Sequence, residues 1–163
     1  MTQLFKSPKD RLHLLKRLAG RCSAVVKQDS PDMRECHSAA IAMVNVLRLK
    51  GFDNSRVLGC SAVILANSGG TGTGVGDTTA EENEPAHYVV LADGNLIDLT
   101  AGQFRALGIA IPDYLIIPAK FATEMLEANR RWVKENGNKL FMVGVRNCSY
   151  DYKIAYVPTD KLA

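Results

Sequence analysis

The sequence predicts an α+β domain, with helices first and then a mainly antiparallel sheet interrupted by one later helix. Three observations lead there. Apolar residues recur at helical spacing from Arg11 to Ala19 and again from Ala39 to Leu47. From Arg56 onward the apolar runs shorten to strand length, in Arg56–Leu65, His87–Leu91, Leu96–Leu99, Tyr114–Ile117, Leu140–Val145 and Tyr152–Val157. Between the second and third of these runs stands Ala92-Asp93-Gly94-Asn95, and Asp-Gly is a strong signal for a two-residue hairpin turn.

Taken in order, Ser7-Pro8-Lys9-Asp10 reads as a helix start, since Ser caps a helix and Pro is tolerated in the first turn. The helix that follows is short, ends at Gly20, and carries Lys9, Arg11, Lys16, Arg17 and Arg21 as a solvated basic face. Cys22 to Val26 reads either as a short strand or as a continuation of that helix. Ser30 to Glu35 holds turn and helix-start residues, and a second helix runs on to Lys50 with Gly51 as its stop. That helix is apolar nearly all round, which predicts a buried one. Arg56–Leu65 reads as a strand with a weak point at Gly59. Residues 67–85 read as a flexible surface loop, Gly- and Thr-rich and then acidic, placed to act as a lid. Its glycines do not make a phosphate loop: no GK[ST] follows, and no Lys or Arg occurs between Arg56 and Arg105. Thr100 to Arg105 reads as a turn or helical turn. Ala119 to Asn136 reads as an amphipathic helix burying Phe121, Met125, Leu126 and Trp132, with Gly137 as its stop.

A chain of 163 residues is expected to form a single domain over 1–163 with a real core. Hydrophobic content of 47% and charged content of 23% are those of a globular protein. A net charge of +3 does not suggest nucleic acid as a partner. Neither a transmembrane run nor an apolar signal region is visible, so no membrane partner is expected. The predicted location is cytoplasmic, or secreted without a cleaved signal peptide. The four cysteines, at 22, 36, 60 and 148, form no CxxC pair, and with only three histidines no metal site and no cofactor is expected.

The chemistry rests on Cys36, His87 and Asp98. Cys36 falls in the first turn of the second helix, where free backbone N–H groups and the positive end of the dipole favour a thiolate. If Asp93 and Gly94 form the turn, Ala92 pairs with Asn95, Leu91 with Leu96 and Val90 with Ile97. Alternation then puts His87 and Asp98 on one face as diagonal neighbours, and a one-residue slip would separate them. In that arrangement the carboxylate would fix the tautomer and orientation of the imidazole. The plainer alternatives are a buried structural cysteine and an edge-strand carboxylate pointing into water. His37 follows Cys36 directly and so points about 100° away on a helix, which removes it as a partner for the thiol. His13 lies on the basic helix and is expected to be solvated.

This order resembles the papain-like superfamily, and its transglutaminase-like branch most closely. The elements are a Cys heading an apolar helix, a strand, a strand begun by His, and an Asp in the next strand. The stretch Ala86 to Thr100 is similar to that branch in its His, hydrophobic residues, short turn, and Asp followed by a small polar residue. The resemblance covers roughly residues 30 to 105 and implies a papain-like core with the Cys-bearing helix packed on the sheet. It implies a cysteine peptidase, amidase, deamidase or acyltransferase, a class that includes bacterial effector toxins. Such enzymes act on peptide or protein amides through a thioester, with Cys36, His87 and Asp98 as the triad. Two departures stand out. Papain-type peptidases carry a Gln a few residues before the Cys, whereas here the nearest is Gln28, eight residues upstream; Gln103 is a second amide near the site in sequence. These two are the candidates for oxyanion support. The His is followed by Tyr88, where the branch often has Trp. Two competing readings stay open: a non-enzymatic binding or adaptor module on this fold, and a metal site built on Cys36, His37 and His87.

Overall fold

The computed structural model describes residues 7–66, 73–75, 87–121 and 142–158. Helix α1 spans Pro8–Asp29, and the Ser7 side chain caps it by accepting from the Asp10 N–H at 3.2 Å. The expected stop at Gly20 does not occur, and Cys22–Val26 is helix. Gly20 is a packing residue: a Cβ there would lie 3.3 Å from Tyr114 Oη. The buried face of α1 is Leu15, Leu18, Ala19 and Ser23, one stripe at helical spacing. Helix α2 spans Cys36–Leu49 and buries Ala39, Ala40, Met43, Val44 and Leu47. It is not enclosed as its composition suggests, because Ile41 and Leu49 face outward at 44% and 84% exposure.

The strands are β1 (Arg56–Ala66), β2 (Thr73–Val75), β3 (His87–Ala92), β4 (Asn95–Asp98), β5 (Leu115–Pro118), β6 (Lys120–Phe121), β7 (Met142–Asn147) and β8 (Tyr152–Pro158). They form the order β5-β4-β3-β1-β8-β7-β6, with β2 added to β1 and every pairing antiparallel. The architecture is therefore α+β. β1 runs through Gly59 without a break, Gly59 pairing in register with Tyr88. Ala119–Phe121 do not begin a helix: Lys120 and Phe121 pair with Val143 and Met142, a distant partnership that local spacing cannot reveal. The rest of that expected helix lies outside the described residues. So does the loop over 67–85, apart from Thr73–Val75, which are not loop but a strand paired with Ile64, Val63 and Ala62. Among the described residues no helix is long and apolar enough to cross a membrane.

The sheet has a core on each face. On one, α1 and α2 cover Val90, Ala92, Ile97 and Leu99. On the other, Leu58, Cys60, Ala62, Val89, Leu96, Ile117, Ile154 and Tyr156 pack together with Phe104. The sheet curls over this second core, so that β7 approaches β4 and β5. A Cβ on Gly144 would sit 2.7 Å from both Ile117 Cδ1 and Leu96 Cδ1, and the Arg146 guanidinium donates to the Ile116 carbonyl at 3.3 Å. Arg11 is not simply solvated. It makes a two-pronged bond to Asp93 at 2.6 and 2.9 Å and lies 4.5 Å over the Phe52 ring, tying α1 to the β3–β4 turn.

Candidate active site

The β3–β4 hairpin sets the geometry. Asp93 and Gly94 have φ of 48° and 69°, the two positive values that a type I′ turn requires. The register pairs Ala92 with Asn95, Leu91 with Leu96 and Val90 with Ile97, as the Asp-Gly spacing predicts. His87 and Asp98 consequently meet, Nε2 to Oδ2, at 2.9 Å, and they are 3% and 1% exposed. Because β4 lies between β3 and β5, Asp98 is no edge-strand charge in water.

Among the described residues, four donors hold Asp98. Oδ1 accepts from the Thr100 backbone N–H at 2.8 Å and the Thr100 hydroxyl at 3.2 Å. Oδ2 accepts from His87 and from the Tyr156 hydroxyl at 2.5 Å. Burial pushes the Asp98 carboxyl up. The charge of His87 and the bonds from His87, Tyr156 and Thr100 outweigh it and leave the pKa below the ordinary value. His87 shows the reverse balance. Burial lowers its pKa, but the adjacent Asp98 carboxylate and then the Cys36 thiol raise it to about 10. The ring is also walled in, with Phe104 edge-on at 5.5 Å and Tyr156 roughly parallel at 6.0 Å between centroids.

Cys36 is the first residue of α2, and α2 packs against β3. Ala39 N–H is the donor to the Glu35 carbonyl, so the N–H groups of Cys36, His37 and Ser38 precede the first helical bond. The Glu35 side chain accepts from the Ser38 hydroxyl at 2.9 Å and does not cap the backbone. The turn entering α2 is anchored by Met33, which is buried and adopts φ 57°. Its sulfur rests on Gly102, where a Cβ would lie only 2.5 Å away. This contact locks the approach to Cys36 against the 3-10 helix Ala101–Leu107, which carries Gln103. Burial raises the Cys36 pKa, but hydrogen bonding to His87, the His87 charge and the Tyr88 backbone N–H lower it further than burial raises it. Burial pushes the thiols of Cys22 and Cys148 the other way, upward.

Of the two amides, the structure brings one to the cluster. Gln103 Nε2 lies 3.4 Å from His87 Nδ1 and 3.1 Å from both the Thr100 carbonyl and the Thr100 hydroxyl. The carbonyl can only accept, so the nitrogen of the amide must face it, and the donor end of Gln103 stands beside the imidazole. Gln28 is not brought in: it is exposed in the last turn of α1. Its helix continues past the expected stop and carries it away as a surface residue. His37 is exposed and stacks on Tyr88 at 4.2 Å between centroids, and His13 is exposed on α1. Among the described residues no three His, Cys, Asp or Glu side chains converge as metal ligands, so Cys36, His37 and His87 form no such set.

Two members of the network escaped the sequence reading as site residues. Thr100 left a trace, since a Thr two residues after an Asp suits a local side-chain-to-backbone bond. Tyr156 left almost none, being one of two tyrosines in a strand 58 residues from Asp98. Comparison of the chain with protein-family models, with curated proteins and with solved structures finds no match in any of the three.

Proposed function

We propose that this protein is a cysteine-dependent hydrolase or acyltransferase acting on an amide bond, with Cys36 as nucleophile, His87 as acid and base, and Asp98 as the orienting carboxylate. One observation carries the reading. A thiol with a lowered pKa, an imidazole with a raised one and a fully bonded buried carboxylate meet at one point. These shifts favour a thiolate–imidazolium pair, the reactive form of such a site. Asp98 occupies Nε2, which leaves Nδ1 for the sulfur. The succession of Cys-led helix, strand, His-led strand and Asp-bearing strand, with the helix packed on an antiparallel sheet, supports a papain-like core of the transglutaminase-like kind.

In the mechanism, the Cys36 thiolate attacks the amide carbon, and the carbonyl π pair moves to oxygen. The free N–H of Cys36 is the donor for that oxyanion, and one such donor contributes about 10²–10³ in rate. Gln103, whose two N–H hydrogens go to Thr100, stands beside the imidazole as support. Collapse breaks the C–N bond, and the Nδ1 proton of His87 goes to the departing amine, leaving a thioester. Water or an amine then attacks the thioester and passes its proton to His87. The C–S bond breaks, and the thiolate and imidazolium are restored. Acid–base help of this type contributes about 10²–10⁴.

The test is alkylation by iodoacetamide as a function of pH, with labelled cysteines mapped by mass spectrometry, alongside acylation by p-nitrophenyl acetate. Cys36 should label first and well below the ordinary thiol pKa of about 8.5, and should form an acetyl thioester. His87→Ala should return its labelling to that of an ordinary thiol. A Cys36 no more reactive than Cys22 or Cys148 would sink the proposal and favour a binding module.

A further inference from the structure

We infer that Tyr156 is a positioning residue for the base: its hydroxyl shares Asp98 Oδ2 with His87 and so sets how tightly the carboxylate holds the imidazolium. The inference rests on the reading of His87 as the base. An ionised carboxylate offers about four lone-pair sites, and here four donors from the described residues reach it, two on each oxygen. Two consequences follow. The carboxylate cannot rotate without breaking bonds, which keeps Oδ2 on Nε2. The Tyr156 hydroxyl also draws charge from the oxygen that His87 uses, so the imidazolium is held less strongly than by a carboxylate bonded to His87 alone.

The direction of the bond is settled by chemistry. A carboxylate only accepts, so the phenol donates. Burial and then the neighbouring Asp98 charge push the Tyr156 pKa well above its ordinary value, which keeps the proton on the phenol. Among the described residues, the ionisable groups that act on His87 or Tyr156 are Cys36 on α2, Cys60 on β1, Asp98 on β4 and Cys148 just after β7; Tyr156 itself is on β8. Cys60 is the register partner of His87 across β1 and β3. Of these, only Tyr156 is a neutral donor to the oxygen that His87 uses. Packing alone would be served equally by Phe.

The experiment follows the His87 ring by NMR through a pH titration of the full chain, with Cys36 alkylation measured in parallel. In Tyr156→Phe the His87 titration should move up by roughly one pH unit, the scale of a hydrogen bond to a charged group. The upper limb of the acylation profile should move with it. Placing 3-fluorotyrosine at 156 keeps the ring and strengthens the donor, so the same titration should move down. This second variant keeps the test valid if removal of the hydroxyl unfolds the protein. A His87 titration unchanged by fluorination, or unchanged in a folded Tyr156→Phe, would overturn the inference and leave Tyr156 a packing residue. The titration does not depend on turnover. A moving His87 beside an unreactive Cys36 would therefore defeat the proposed function while leaving the Tyr156–Asp98–His87 coupling in place.

Discussion

His87 and Asp98 make the stability of this protein depend on pH in opposite directions. A histidine raised from 6.5 to about 10 contributes stability that is complete below 6.5 and is lost as pH rises toward 10. A carboxyl held below its ordinary 3.8 contributes stability present above that value and lost as pH falls through its lower folded pKa. The pair therefore contributes fully between these ordinary values. The Cys36 thiol works against the histidine at high pH, because its lowered pKa adds stability as pH rises toward the ordinary thiol value. The expectation is best measured with that thiol removed. In Cys36→Ala, which also removes the thiol's share of the His87 shift, the thermal midpoint should fall as pH rises above 6.5, and adding His87→Gln should flatten the fall. Equal slopes in the two proteins would show that His87 is not charged in the fold. The meeting of these two side chains was legible because a two-residue turn and a period of two leave one register. Tyr156 was not legible, since nothing local links a strand near the end of the chain to the β4 carboxylate.

The β3–β4 hairpin shows how much a short element can determine, and Gly94 and Gly144 show two different uses of glycine. Gly94 has φ 69° with open space where a Cβ would go, so Gly94→Ala meets only backbone strain. It should cost about 1 kcal/mol in denaturant unfolding. Gly144 is limited by space, with Leu96 and Ile117 both 2.7 Å from the missing Cβ. Gly144→Ala should cost more, about 1–3 kcal/mol from overpacking. The opposite ranking by urea denaturation would mean that β7 does not lie against β4 and β5. The sequence marked Gly94 plainly, through the Asp before it, and said nothing of Gly144. The same limit explains α1. Gly20 looked like a helix stop because local signals do not include Tyr114, the ring it makes room for.

The described residues form a curled antiparallel sheet between two cores, with the Cys36–His87–Asp98 cluster where the start of α2 meets the start of β3. Cys36 comes from the helical layer, whereas His87, Asp98 and Tyr156 come from the sheet. The distance between them is thus set by helix-on-sheet packing, in which Met43 and Leu47 are fully buried. Met43→Ala should destabilise by about 2–5 kcal/mol. It should also loosen the Cys36–His87 contact, seen as a loss of low-pH alkylation in protein that is still folded by circular dichroism. Unchanged alkylation in a destabilised variant would separate the helical layer from the site. The amino-acid order was enough for the α+β class, most strand positions, the hairpin register and the meeting of His87 with Asp98. These depend on turn chemistry and on side-chain periods that act over a few residues. The full length of α1, the pairing of Lys120–Phe121, the placement of Gln103 rather than Gln28, and the Tyr156 bond depend on contacts between distant segments. Such contacts exist only once the chain has folded, because their free energy comes from surfaces that no local pattern encodes.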